Sequence, residues 1–243
     1  MTAPTLLLLT PSTTDPRPTR AGCAVRDRVR AMRPDLRVEA TIVDGPSPAE
    51  MLARLAAAGV EEVVAVPLLL SDSPADQFLL AAAGAEHLGI RVEVTDVLGF
   101  RRGFLGVLDQ RLRTALARAR VRELDALVLA APGSSDPVAN AGVVRIARAW
   151  GWHHRLPVLA AYAATTPPST GEAVRAFRAE GRRHIAVGSF FLGPGSLADL
   201  AAELALEAGA VAVSEPLGAD GEVVRAVLER YAVGAVDLVP LPA

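Results

Sequence analysis

The chain has 243 residues, of which 51% are hydrophobic, 21% charged and only 4% aromatic, and its formal net charge is -2. This composition supplies a core for one large or two small globular domains and excludes a disordered chain, while the near-neutral charge and scarce aromatics argue against a nucleic-acid-binding surface. Cys23 is the single cysteine, which excludes an internal disulfide and a cysteine-built metal cage and fits a reducing compartment.

From the N-terminus, the apolar run at 6–9 reads as a buried strand. No basic segment precedes it and Pro11 follows closely, so it is too short for a signal peptide. No later stretch reaches the ~18 uninterrupted apolar residues of a membrane span, and the expectation is a soluble, cytoplasmic protein with no membrane partner. A helix is predicted over 22–32, a strand over 38–43, a helix over 49–57, a strand over 63–69, a helix over 77–88, a strand over 92–97 and a closing helix over 107–119. The same succession then returns. Strands are predicted at 126–131, 158–163, 185–191 and 210–214, with helices at 139–150, 172–179, 197–208 and 222–231. Short runs of Val, Leu and Ala alternating with longer helical segments are the pattern of βαβ units, whose parallel strands are buried on both faces.

The return is a repeat of residues as well as of pattern. Thr10-Pro11-Ser12-Thr13-Thr14-Asp15-Pro16 is echoed by Ala131-Pro132-Gly133-Ser134-Ser135-Asp136-Pro137, at an offset of 121 residues from Asp15 to Asp136. Pro46-Ser47-Pro48-Ala49-Glu50 is matched by Pro168-Ser169-Thr170-Gly171-Glu172, segment 59–70 by 181–192, and Leu98-Gly99 by Leu217-Gly218. Ser47 and Ser169 are placed to cap helices, with Glu50 and Glu172 reaching back from three residues later. Asp136-Pro137 reads as an N-cap followed by Pro at the first helical position, and Gly59 and Gly181 as helix-ending glycines. The predicted fold is therefore α/β, with two similar domains, 1–120 and 121–243. Each is a small parallel sheet of about four strands flanked by helices, the two being related by internal duplication.

In an open parallel sheet, ligands bind beyond the carboxyl ends of the strands, where loops diverge and helix N-termini point inward. The polar side chains that this rule selects are Thr10, Ser12, Thr13, Asp15, Ser71, Asp72, Ser73, Asp76 and Gln77 in the first copy. In the second they are Ser134, Ser135 and Asp136. With Pro11 and Ala75 they make up the candidate ligand-binding cleft, expected between the two copies. Asp72 with Asp76 could hold a hard cation weakly, and Arg101 and Arg102 could meet carboxylates of an acidic ligand. The competing structural reading makes Asp15 and Asp136 helix caps and Asp76 a helix start.

Ser12 to Pro16, Pro46-Ser47, Val66-Pro67-Leu68-Leu69-Leu70, Gly133 to Pro137 with Asn140, and Pro216-Leu217-Gly218 stand in a particular order. That order resembles the sirohydrochlorin chelatase family, in its tandem two-domain form, and through it the small cobalt, nickel and iron chelatases of tetrapyrrole synthesis. The resemblance covers nearly the whole chain. It implies two chelatase-like domains that hold a tetrapyrrole between them and insert a divalent metal, cobalt or iron, without ATP. The metal is then a substrate, no further cofactor is implied, and an enzyme of the same pathway is a candidate protein partner. The family holds the metal with two His and uses a Glu to help take the pyrrole protons. Neutral imidazole binds divalent first-row metals well, and ring nitrogens must lose protons to a base as the metal enters.

This chain departs from the family at each of those places. The first His position is Pro11, and Pro132 in the second copy. The loop expected to carry the second His reads Ser71-Asp72-Ser73-Pro74-Ala75, and Gly193-Pro194-Gly195-Ser196 in the second copy. The Glu position is Ile42, and Ala164 in the second copy. No catalytic residue and no metal ligand is therefore assigned. The four histidines, His87, His153, His154 and His184, are expected at the amino edges of the sheets, and all four, including the adjacent pair, read as surface or structural. Two functional readings remain: a chelatase-like protein of siroheme or cobalamin metabolism, and a degenerate paralogue that binds a tetrapyrrole, metal or partner protein without turnover. A different enzyme on the same scaffold, built on the facing Ser and Asp side chains, is the third and weakest. No Ser-His-Asp arrangement supports it.

Overall fold

The structure, a computed structural model, describes residues 3–10, 15–41, 47–70, 86–164 and 166–239. In chain order the elements are β1 (Thr5–Leu9), α1 (Pro16–Met32), β2 (Val38–Ala40), α2 (Pro48–Ala57), β3 (Glu62–Pro67), a 3₁₀ turn (Glu86–Leu88), β4 (Arg91–Val94) and α3 (Arg102–Ala119). Then follow β5 (Ala126–Ala131), α4 (Pro137–His154), β6 (Val158–Tyr162), α5 (Thr170–Ala179), β7 (Ile185–Ser189), α6 (Ser196–Glu207), β8 (Ala212–Val213) and α7 (Gly221–Asp237). Most of the helix predicted over 77–88 lies outside the described residues.

The strands form two four-stranded sheets, ordered β2-β1-β3-β4 and β6-β5-β7-β8. Every pairing is parallel. The expected fold class, two similar α/β halves, is the observed one. Central strands β1, β5 and β7 are buried at every position. A parallel strand covered by helices on both faces has no wet side, which is why these segments read as unbroken apolar runs.

The local signals act as the sequence implies. Ser47 and Ser169 each form a complete capping box with the Glu three residues on. Asp15 and Asp136 cap α1 and α4, with Pro at the first helical position. Gly59 and Gly181 adopt φ of +77° and +91° after α2 and α5. Helix α1 starts six residues earlier than predicted, because Pro16 and Pro18 both fall in its first turn, where the missing N–H groups have no intrahelical partner to lose.

The repeat in sequence and the grouping in space differ in one respect. The described residues within Met1–Gly99 and Ala219–Ala243 form one compact unit, and Phe100–Gly218 the other. Helix α3, which closes the first sequence copy, packs on β7 and β8 of the second sheet. Helix α7, which closes the second copy, packs on β3, β4 and α1 of the first unit. Each closing helix thus covers the sheet of the other copy. Among the described residues, no helix is long and apolar enough to cross a membrane.

Candidate functional site

At the carboxyl edge of the first sheet, Thr10 follows β1 and is buried. Its N–H donates to Thr41 Oγ1 at 2.9 Å, and its hydroxyl donates to the Thr41 carbonyl at 2.9 Å. The pair ties the exit of β1 to the exit of β2, so the polar groups of Thr10 serve the scaffold. Asp15 accepts from the backbone N–H of Arg17 at 3.0 Å and pairs with the Arg17 guanidinium at 2.7 Å. Oδ1 carries the capping role expected of Asp15, and Oδ2 meets the Arg17 side chain. Pro11, Ser12, Thr13, Ile42, Ser71, Asp72, Ser73, Ala75, Asp76 and Gln77 lie outside the described residues.

The corresponding edge of the second sheet lies within the described residues except for Thr165. Asn140, one turn into α4, organises it. The Ser134 N–H donates to Asn140 Oδ1 at 3.0 Å, and Asn140 Nδ2 donates to the Ser134 carbonyl at 2.7 Å and to Thr166 Oγ1 at 3.2 Å. Thr166 Oγ1 in turn donates to the Ser134 carbonyl at 3.0 Å. One amide therefore clamps the β5–α4 loop to the β6–α5 loop. The Tyr162 hydroxyl, its proton held more tightly by burial, donates to the Asn140 carbonyl at 3.1 Å.

The three expected residues of this copy fall on the clamped loop. Ser134 Oγ accepts from the Asp136 N–H at 3.0 Å, and Asp136 accepts from the Val138 N–H at 2.9 Å as the cap of α4. Ser135 is exposed at the loop tip. Gly133 is required twice over: its φ is +86°, and a Cβ there would lie 2.4 Å from the Ala164 carbonyl oxygen. Sequence reasoning placed Asn140 in the motif without a role, reached Thr166 only as part of the carboxyl-edge segment 165–169, and missed Tyr162. Their partners stand 22 to 32 residues away along the chain, where no local pattern signals them.

Beyond this loop, the exits of β3 and β7 repeat one another. Leu98 N–H donates to the Leu69 carbonyl and Leu217 N–H to the Phe191 carbonyl, both at 2.9 Å, each just before a positive-φ glycine. Of the arginines that could meet an acidic ligand, Arg101 is partly buried as the cap residue of α3 and Arg102 is exposed. The histidines stand where topology puts them, ahead of the strands. His87 lies in the turn before β4, His153 and His154 end α4 before β6, and His184 precedes β7. The Asp125 N–H donates to the His184 carbonyl, holding the entrances of β5 and β7 together. None of the four lies in the carboxyl-edge loops.

The model of the CbiX family matches residues 5–115 and again residues 126–233. The chain belongs to the CbiX family. Among solved structures it is similar to SirB from Bacillus subtilis with Fe3+, at 18% identity and TM-score 0.76, over 98% of this chain and 97% of that one. The sirohydrochlorin chelatase SirB from Bacillus subtilis subspecies spizizenii in complex with cobalt is 16% identical, with TM-score 0.75 over the same shares. CbiX, the terminal enzyme for biosynthesis of siroheme in denitrifying bacteria, is 17% identical, with TM-score 0.67 over 95% of this chain and 98% of that one. At these identities the likeness is one of fold. No curated protein sequence matches the chain.

Against the CbiX pattern, the second unit brings two aligned positions together. Ala164 N–H donates to the Pro132 carbonyl at 3.1 Å. These are the positions at which the family resemblance implies a His and a Glu. The side chains at both places are apolar.

Proposed function

We propose that this chain is a sirohydrochlorin chelatase-like protein of tetrapyrrole metabolism, acting in a reducing compartment such as the cytoplasm. It binds a sirohydrochlorin-type macrocycle and handles the divalent metal, cobalt or iron, that enters it. The observation that carries this reading is the CbiX match, found twice and covering nearly the whole chain. The fold likeness to SirB structures with Fe3+ and with cobalt supports it. The macrocycle belongs at the carboxyl edges, where Ser134, Ser135 and the clamped loop of the second unit offer hydroxyl and amide groups to a polar rim. In the first copy the same role falls to Ser12, Thr13, Ser71, Asp72, Ser73, Asp76 and Gln77.

Metal insertion needs a donor that takes the ion and a base that removes the ring protons. Pro132 and Ala164 supply neither in the second unit, and Pro11 and Ile42 supply neither in the first copy. That observation favours a second reading: a degenerate paralogue that binds the macrocycle without turnover. If insertion occurs, the carboxylates Asp72 and Asp76 are the candidates to support it. Titration with sirohydrochlorin, followed by absorption after adding Co2+ or Fe2+, separates the cases. Submillimolar binding with insertion faster than the spontaneous rate establishes the chelatase, and binding without acceleration establishes the paralogue. Absence of binding overturns both.

A further inference from the structure

Away from the carboxyl edges, α3 and α4 bring together a group that the CbiX resemblance does not use. Among the described residues, one ligand atom each from Asp109, His153 and His154 lies within 4.8 Å of the others. Asp109 projects from the buried side of α3, and its carboxylate is 11% exposed. His153 and His154 are the last two residues of α4, with side chains 67% and 30% exposed. A buried carboxylate therefore faces two imidazoles that reach it from solvent.

We infer that Asp109, His153 and His154 form a binding site for a divalent first-row transition cation such as Zn2+. Three features of the geometry point there. First, two imidazoles and one carboxylate are a donor set suited to such ions, and three protein ligands leave a further position for water. Second, His153 Nε2 stands 3.5 Å from Asp109 Oδ2. This is longer than an ordinary hydrogen bond of about 2.7–3.2 Å. It is close to the ~3.3 Å that separates two donors on one tetrahedral ion with bonds of about 2.0–2.1 Å. Third, Trp150 Nε1 donates to Asp109 Oδ1 at 2.6 Å. The indole anchors Oδ1 and leaves Oδ2 facing His153, as outer-shell donors orient carboxylates in metal centres.

His154 Nε2 meets Asp109 Oδ1 at 2.7 Å. Binding the ion exchanges that hydrogen bond for a metal bond, with the imidazole proton moved to Nδ1, while Trp150 keeps Oδ1 satisfied. The rings are already arranged edge to face, His153 to His154 at 5.0 Å between centroids and Trp150 to His154 at 5.7 Å. The site lies where α4 ends ahead of β6, so it is separate from the loops assigned to the macrocycle. Its failure would leave the chelatase reading standing, and the reverse holds too.

The test uses the full chain without a histidine tag. Both of its tryptophans, Trp150 and Trp152, flank the cluster, so Co2+ bound there quenches their fluorescence, and calorimetric titration with Zn2+ counts the sites. The expected result is one Zn2+ whose affinity falls at least ~10-fold in His153→Gln and in His154→Gln, the loss that even an outer-shell change can cause. The Co2+ quenching should be lost in parallel. His153 is mostly exposed, so His153→Gln should melt as the parent does without metal. A parent that takes up no Zn2+ overturns the inference, as does uptake or quenching unchanged in His153→Gln.

Discussion

Asn140 spends its whole amide on other people's loops: its Oδ1 receives the Ser134 N–H, and its Nδ2 serves Ser134 and Thr166. Replacing it with Ala removes three bonds and strands the polar groups they satisfied, so Asn140→Ala should cost about 1–3 kcal/mol in urea unfolding. Asn140→Asp, which keeps the acceptor and loses both donations, should also destabilise. If the clamped loop holds the macrocycle rim, both variants should weaken tetrapyrrole binding more than their stability loss explains. Asn140 was legible as a motif member and illegible as a clamp, because a side chain bonded across 26 residues to Thr166 leaves no periodic trace. The capping boxes are the opposite case, being local and fully readable. Glu50 and Glu172 are held below the usual carboxylate range, first by the backbone N–H of Ser47 and Ser169 and then by the serine hydroxyls. A depressed folded-state value gives stability that is complete above the ordinary Glu value of about 4.3 and fades as pH falls through the lower folded value. Circular-dichroism melts of Glu50→Gln/Glu172→Gln should therefore show a shallower loss of stability on acidification over that range than the parent.

At the scale of elements, the strands were legible because burial on both faces leaves only one kind of residue, and the helices because their ends carry stop and start chemistry. The errors are instructive. The predicted start of α1, at 22, is six residues late, because the first turn of a helix tolerates both Pro16 and Pro18. The packing of one element on another was not legible at all. Gly188 of β7 shows why: a Cβ there would lie 2.5 Å from Cη2 of Trp150 and 3.1 Å from Leu108 Cδ1. The glycine makes room for the large indole of α4 and for α3 beyond it, although in sequence it is only a small residue within an apolar run. Trp150 is fully buried and its N–H is tied to Asp109, so it cannot swing aside cheaply. Gly188→Ala should overpack this contact and cost about 1–3 kcal/mol, read as a lowered thermal midpoint. An unchanged midpoint would mean that α4 shifts freely on the sheet.

At the scale of the molecule, the duplication visible in the sequence marks copies of a chain segment, while the compact units are built from sheets and the helices that cover them. Landmark spacing reports descent and cannot report which sheet a closing helix chooses. The structure assigns α3 to the unit of β5–β8, where Phe104, Val107, Leu108 and Leu112 are buried and Asp109 receives the Trp150 N–H. Helix α7 belongs to the unit of β1–β4, where the Tyr231 hydroxyl donates to the Pro4 carbonyl at 2.8 Å and Gly234 lets the helix approach Val64. Two fragments distinguish descent from folding. Residues 100–218 contain a sheet with all the helices that cover it and should unfold cooperatively in urea, with a denaturant slope proportionate to their size. Residues 121–243 are the complete second copy, yet they leave β7 and β8 without α3 and carry α7 without its sheet. That fragment exposes apolar strand faces that the intact chain never shows to water, and it should aggregate or unfold without a cooperative transition. If 121–243 instead unfolds as sharply as 100–218, the closing helix has returned to its own copy, and the exchange adds little to the stability of either unit.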